Sequence, residues 1–139
     1  MARGILLDTS ACVCYLQPRG WDDLKTAVQQ VLMAEQVYTC WVVMTELLIG
    51  ARDERGFTQL FETLRALPES PVTDQVWEAA ARLGYTLRRQ GFTIPLPDLV
   101  IAQAAIAGDL VLWHVDDHFE HVRRHTTLQT RSFVPEARG

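Results

Sequence analysis

Apolar and polar residues follow two patterns along the 139-residue chain: short solid apolar runs, and longer stretches with helical spacing. Ile5-Leu6-Leu7 is a short run that reads as a buried strand. Leu24, Val28, Val31 and Leu32 recur at helical intervals, which predicts an amphipathic helix over Trp21–Gln36. Val37–Cys40 is rich in β-formers. The stretch Trp41–Ala51 that follows is too long for a strand and apolar on nearly every face, which predicts a helix packed inside the protein. Phe57, Leu60, Phe61, Leu64 and Leu67 mark a second amphipathic helix, stopped by Pro68. Pro71–Thr73 reads as a weak strand, and Val76, Ala80, Leu83 and Leu87 as a helix ending near Gly91. Thr93–Pro97 is a proline-bearing loop; Pro97 suits the first turn of a helix running to about Ala107, and Gly108 stops it. Leu110–Trp113 is the most strand-like run, followed by a short helix over Asp117–Arg124 and a last strand around Leu128–Phe133.

Strands alternating with helices through short connections predict an α/β fold: a mostly parallel central sheet of four to five strands with helices on both faces, in three α/β/α layers. The expected organisation is one domain over 1–134 with a frayed tail over 135–139. In such sheets the functional crevice lies beyond the carboxyl ends of the strands.

Composition narrows the class further. With 48% apolar and 22% charged residues the chain is not disordered, and 8 Gly with 6 Pro exclude a collagen-like or low-complexity sequence. No apolar run approaches the ~18 residues of a membrane span. Asp8 interrupts the N-terminal apolar run, so no signal peptide is expected and the predicted location is cytoplasmic. Cys12, Cys14 and Cys40 are odd in number and sit in apolar segments, which reads as small core residues rather than disulfides or a zinc site.

The candidate chemistry lies in the carboxylates. Asp8 directly follows the first strand, and Asp116 lies just after Leu110–Trp113, so parallel strands place both at one rim of the sheet. Asp98 falls in the first turn of its helix. Each of these also suits a helix start, where exposed N–H groups favour a carboxylate. Glu46 is different, because it lies within the apolar stretch 41–51, where an ionised carboxylate needs a partner, a hydrogen bond or a metal. A narrow exposed stripe shared with Thr45, or pairing with Arg52, is the structural alternative. If all four converge, pairs about 5 Å apart repel by roughly 3 kcal/mol each at an effective dielectric of 20. The total is on the order of 20 kcal/mol, more than the ~5–15 kcal/mol of a typical net stability. Such a cluster must hold protons or divalent cations, and oxygen ligands suit Mg²⁺ or Mn²⁺. The net charge of −4 agrees: setting these four aside leaves thirteen acids against thirteen bases.

Leu6-Leu7-Asp8-Thr9-Ser10, Thr45-Glu46-Leu47-Leu48-Ile49-Gly50-Ala51, Pro97-Asp98-Leu99-Val100-Ile101-Ala102 and Asp116-Asp117-His118-Phe119 occur in this order over nearly the whole chain. In this set the sequence resembles the PIN-domain nucleases, and among them the VapC toxins of toxin–antitoxin pairs. The resemblance implies a PIN-like sandwich and a Mg²⁺- or Mn²⁺-dependent endoribonuclease that hydrolyses RNA phosphodiester bonds. Asp8, Glu46, Asp98 and Asp116 match the family's four acidic positions, and Ser10 a hydroxyl position beside the first acid. It further implies a VapB-type antitoxin and a homodimer. Arg52, Arg123 and Arg124 are candidate contacts to the RNA backbone. The sequence departs from the family at His114, where Thr or Ser is common, and at His118, where many relatives carry a second Asp. Asp117 and His118 are therefore only marginal ligand candidates.

Two other readings compete. His118, His121 and His125 fall at helical spacing, so one face of a helix could bind a transition metal, with His114 nearby. The second is a catalytically silent PIN-like interaction module, against which the four intact acids speak.

Overall fold

The computed structural model describes residues 3–135. In chain order the elements are β1 (Ile5–Leu7), α1 (Thr9–Tyr15), α2 (Asp22–Met33), β2 (Val37–Tyr38), α3 (Trp41–Ile49) and α4 (Glu54–Arg65). They continue with α5 (Asp74–Arg89), α6 (Leu96–Ala107), β3 (Val111–His114), α7 (His118–His125) and β4 (Gln129–Ser132). The four strands form one sheet in the order β2-β1-β3-β4, and every pairing is parallel. Leu7 stands opposite Trp113, which sets the ends of β1 and β3 level.

The period-2 alternation of strand side chains sorts the core into two layers. Leu6 and Leu112 point to one face and pack with α3, α5, α6 and α7. Ile5, Leu7, Val37 and Trp113 point to the other, where Ala11 of α1 and Leu24, Ala27 and Val28 of α2 cover them. The result is the three-layer sandwich. Apart from Asp98 and Gln103, α6 is apolar on every face, as a buried helix must be, and Leu99 to Ala102 are all buried. It lies so close to α5 that a Cβ on Gly84 would come within 2.7 Å of the Leu99 side chain.

Most predicted elements are present, with two corrections. Pro71–Thr73 is not a strand; only Glu69 bridges to Thr39, and Thr73 instead caps α5, its hydroxyl accepting from the Val76 N–H at 3.2 Å. The second is α1, which sequence reasoning missed. Of the three cysteines only Cys40 is fully buried. The tail expected over 135–139 lies, beyond Pro135, outside the described residues. Among the described residues no helix is long and apolar enough to cross a membrane.

Candidate active site

The carboxyl ends of β1 and β3 form one rim. Asp8 follows β1 directly and is both the last rim residue and the N-cap of α1. Its Oδ1 accepts from the Ala11 N–H at 3.0 Å, and the Ser10 hydroxyl lies 2.8 and 2.9 Å from its two oxygens. That hydroxyl accepts in turn from the Val115 N–H at 2.9 Å, so Ser10 ties the exit of β3 to the carboxylate at the exit of β1. Asp8 is only 2% exposed. Burial raises its pKa from 3.8 to about 6, against the lowering effect of the Ala11 and Ser10 hydrogen bonds and of His114.

Asp98 stands in the first turn of α6 and Asp116 at the turn into α7. Asp116 Oδ1 accepts from the His118 N–H at 2.9 Å, which caps the start of α7. The His118 ring turns back into the site, with Nδ1 3.0 Å from Asp98 Oδ2 and 3.2 Å from Asp116 Oδ1. One ligand atom from each of Asp98, Asp116 and His118 lies within 4.8 Å of the other two; Asp8 and Glu46 fall outside this set. The pKa of Asp98 is raised, chiefly by burial. The charges of Asp116 and Glu46 push the same way, and the His118 contact opposes them.

Glu46 is half-buried on α3, and its Oε1 accepts from the Thr9 hydroxyl at 2.6 Å. No ion pair with Arg52 is present among the described residues. Glu46 therefore faces the site, held by the first residue of α1 and close enough for its charge to act on Asp98.

Behind the rim lies a buried polar network. His114 is wholly buried, and its Nδ1 accepts from the Asp116 N–H at 3.1 Å. Nδ1 therefore carries no proton, and Nε2 is the donor to Glu120 Oε2 at 2.9 Å. Thr130 of β4 donates to the same oxygen at 2.7 Å. Burial alone would raise the Glu120 pKa, but the Thr130 and His114 bonds, with Arg123, bring it below the ordinary value. The i to i+2 bond from His114 to Asp116 is one that a Ser or Thr hydroxyl also makes, which accounts for the tolerated departure at this position.

The histidines do not form one metal face. His121 and His125 pack on Phe92 at 5.0 and 5.8 Å between ring centroids, and of the three histidines on α7 His118 alone reaches the rim carboxylates Asp98 and Asp116. Sequence reasoning gave His118 only a marginal place, and missed Thr9, Glu120 and Thr130. Arg52 and Arg124 are exposed; Arg123 lies 3.3 Å from Glu120. The donor set fits a divalent cation: two carboxylates and an imidazole converge, with further acids beside them.

The family model for the PIN domain matches residues 5–125. Ribonuclease VapC11 of Mycobacterium tuberculosis and VapC ribonuclease Mb1587 of Mycobacterium bovis are each 34% identical over 133 residues, spanning 93% of this chain and 98% of the relative. The fold is also similar to the crystal structure of VapBC2 from Rickettsia felis bound to a DNA fragment from their promoter. There the TM-score is 0.76 at 20% identity, covering 93% of this chain and 98% of that one. On the acids gathered at the sheet rim, the family match over most of the chain and the 34% identity, the chain belongs to the PIN-domain family and, within it, to the VapC ribonucleases.

Proposed function

We propose that this protein is a cytoplasmic Mg²⁺- or Mn²⁺-dependent endoribonuclease that acts as the toxin of a toxin–antitoxin pair and is neutralised by a VapB-type antitoxin. The observation that carries the reading is the meeting of Asp98 and Asp116 at the carboxyl end of a parallel sheet, with the Glu46 charge felt at Asp98 and Asp8 at the same rim. Asp8, Glu46, Asp98 and Asp116 are assigned as the catalytic and cation-holding acids. These residues would hold a divalent cation, which when bound would offset their charge and supply Lewis-acid activation of a water and of the phosphate.

The chain's own groups supply the geometry. Ser10 fixes the Asp8 carboxylate, Thr9 fixes Glu46, and the His114–Glu120 pair fixes the backbone that presents Asp116. Each acid is thus held by a partner on another element or by a helix start, which limits reorganisation during the reaction. Arg52, Arg123 and Arg124 are assigned as contacts to the RNA backbone. Arg123 also restrains Glu120.

A homodimer accompanies this reading. Trp77, Tyr85 and Leu96 are 45%, 57% and 62% exposed around a cleft of about 670 Å³ between α5 and the start of α6. α5 is acidic at its start (Asp74, Glu78) and basic at its end (Arg82, Arg88, Arg89), so two antiparallel copies set unlike charges face to face.

The test is cleavage of total RNA by the purified protein with Mg²⁺ or Mn²⁺, alongside Asp8→Asn and Asp98→Asn. Loss of cleavage in both, with the fold retained, supports the assignment; full activity in both overturns it. A short DNA-binding protein encoded next to this chain that binds it and blocks cleavage establishes the antitoxin.

A further inference from the structure

Of the four histidines, three have their rings occupied elsewhere. His114 uses Nδ1 for the Asp116 N–H and Nε2 for Glu120. His121 and His125 pack on Phe92, and His125 Nδ1 lies 2.9 Å from the His121 carbonyl. Only His118 directs a ring nitrogen at carboxylates of the site, 3.0 Å from one and 3.2 Å from the other. An octahedral ion with ligands at about 2.1 Å holds neighbouring ligand atoms about 3.0 Å apart. The Nδ1–Oδ spacings therefore match adjacent corners of one coordination shell. The placement is also built in from the backbone, because the His118 N–H is bonded to Asp116 Oδ1 at the first turn of α7.

We propose that His118 is a direct ligand of the cation at this site, its Nδ1 binding beside oxygens of Asp98 and Asp116, and that this nitrogen turns the site toward Mn²⁺ over Mg²⁺. The inference rests on the cation-site reading above and deepens it. Mg²⁺ is a hard ion that takes oxygen ligands almost exclusively, whereas first-row divalent ions also accept imidazole. Replacing a carboxylate by a neutral imidazole removes one negative charge, which weakens a purely electrostatic hold on Mg²⁺. For Mn²⁺ the nitrogen bond offsets part of that loss. The other ring nitrogen is left for solvent or substrate, since the His118 side chain is 42% exposed.

The decisive experiment is electron spin-echo spectroscopy of Mn²⁺ bound to the full chain, with Mn²⁺ and Mg²⁺ affinities measured by titration for the wild type, His118→Ala and His118→Asp. The expected result is nitrogen modulation in the wild type that disappears in both variants. The Mn²⁺ affinity of His118→Ala should fall by at least about tenfold, the lower end of what even an indirect ligand partner costs. Mg²⁺ affinity should fall less in His118→Ala and rise in His118→Asp, so the Mn²⁺/Mg²⁺ ratio narrows in both. Absence of nitrogen modulation in the wild type, or an unchanged ratio in His118→Ala, overturns the proposal. The spectrum of the wild type needs no variant to fold. Asp98→Asn/Asp116→Asn separates the two levels. If it abolishes Mn²⁺ binding while the wild type shows no nitrogen signal, only the His118 assignment fails; if Mn²⁺ still binds, the cation-site reading fails with it.

Discussion

The Nδ1 of His114 accepts the backbone N–H of Asp116 at 3.1 Å, so a fully buried side chain holds the peptide from which a rim carboxylate projects. The bond needs only an acceptor two residues before Asp116, whereas the bond to Glu120 needs the ring. His114→Thr should therefore keep Asp116 in place and retain at least a tenth of the cleavage rate, as an order of magnitude. His114→Ala leaves a cavity and removes one partner of the Glu120 carboxylate, which keeps Thr130 and Arg123, and should lose about 2–4 kcal/mol of stability, chiefly through the cavity. Urea unfolding and single-turnover cleavage of the two variants separate these effects.

Asp8 offers a clean test of chemistry against structure. Asn is as good an N-cap as Asp, so Asp8→Asn should preserve α1 while removing the charge; Asp8→Ala should also cost about 1 kcal/mol through the lost cap. Circular dichroism and thermal melts of Asp8→Asn are expected to match the wild type near pH 4, with no detectable cleavage under assay conditions. A folded Asp8→Asn that cleaves at the wild-type rate contradicts the assignment of Asp8.

The raised pKa of Asp8 makes a signed prediction for the metal-free protein. Its value is 3.8 ordinarily and about 6 here, so the folded state favours the protonated form. The resulting stabilisation is complete below pH 4 and is lost as the pH rises through 6, about 3 kcal/mol in all. In chelator, Asp8→Asn should equal the wild type near pH 4 and exceed it at pH 7.5. Excess Mn²⁺ should reverse the order at pH 7.5, because the cation binds the wild-type site and stabilises by mass action. Urea midpoints at the two pH values, with and without Mn²⁺, measure both effects.

RNA binding should depend on salt through the exposed arginines. Arg52→Ala and Arg124→Ala should each weaken binding about equally for all sequences and reduce the slope of log affinity against log salt by about 0.7, the value for one phosphate contact on a single strand. Filter binding with the inactive Asp98→Asn background gives the slopes. Slopes unchanged in both variants would remove these residues from the RNA surface.

The apolar cleft between α5 and α6 predicts the oligomeric state. Trp77→Asp introduces a charge into the lining of this cleft, and if the proposed homodimer forms through it the variant should elute as a monomer where the wild type elutes as a dimer, read by light scattering on the eluting peak.

The strands and the long helices were legible in the sequence because their signals are local and strong. Ile5–Leu7 and Leu110–Trp113 are solid apolar runs, and α5 keeps its stripe over four turns. α1 was not legible. Its Cys-Val-Cys-Tyr segment has the composition of a strand, and its seven residues are too few to show a period. It is a helix because Asp8 caps it and because α2 and α3 pack against it. The same dual use explains the site. Asp8, Asp98 and Asp116 each serve a helix start, so nothing local distinguishes their chemistry from capping. Glu46 stood out through its apolar surroundings, although its actual partner is Thr9 rather than Arg52. His118 is only a marginal ligand candidate by sequence, because it stands where many relatives carry a second Asp, whereas the fold sets its ring beside Asp98 and Asp116. Its position at the first residue of α7 sends its ring to the rim while those of His121 and His125 pack on Phe92.

The order of the sheet has a consequence for biosynthesis. β1, the first strand to leave the ribosome, is completed by β3 from the far end of the chain, and β3 in turn borders β4. A nascent polypeptide halted after Asp98 but before Val111 holds Asp8, Glu46 and Asp98 while β1 lacks its β3 neighbour. The carboxylates of the rim can thus come together only after β3 has been made and has paired with β1.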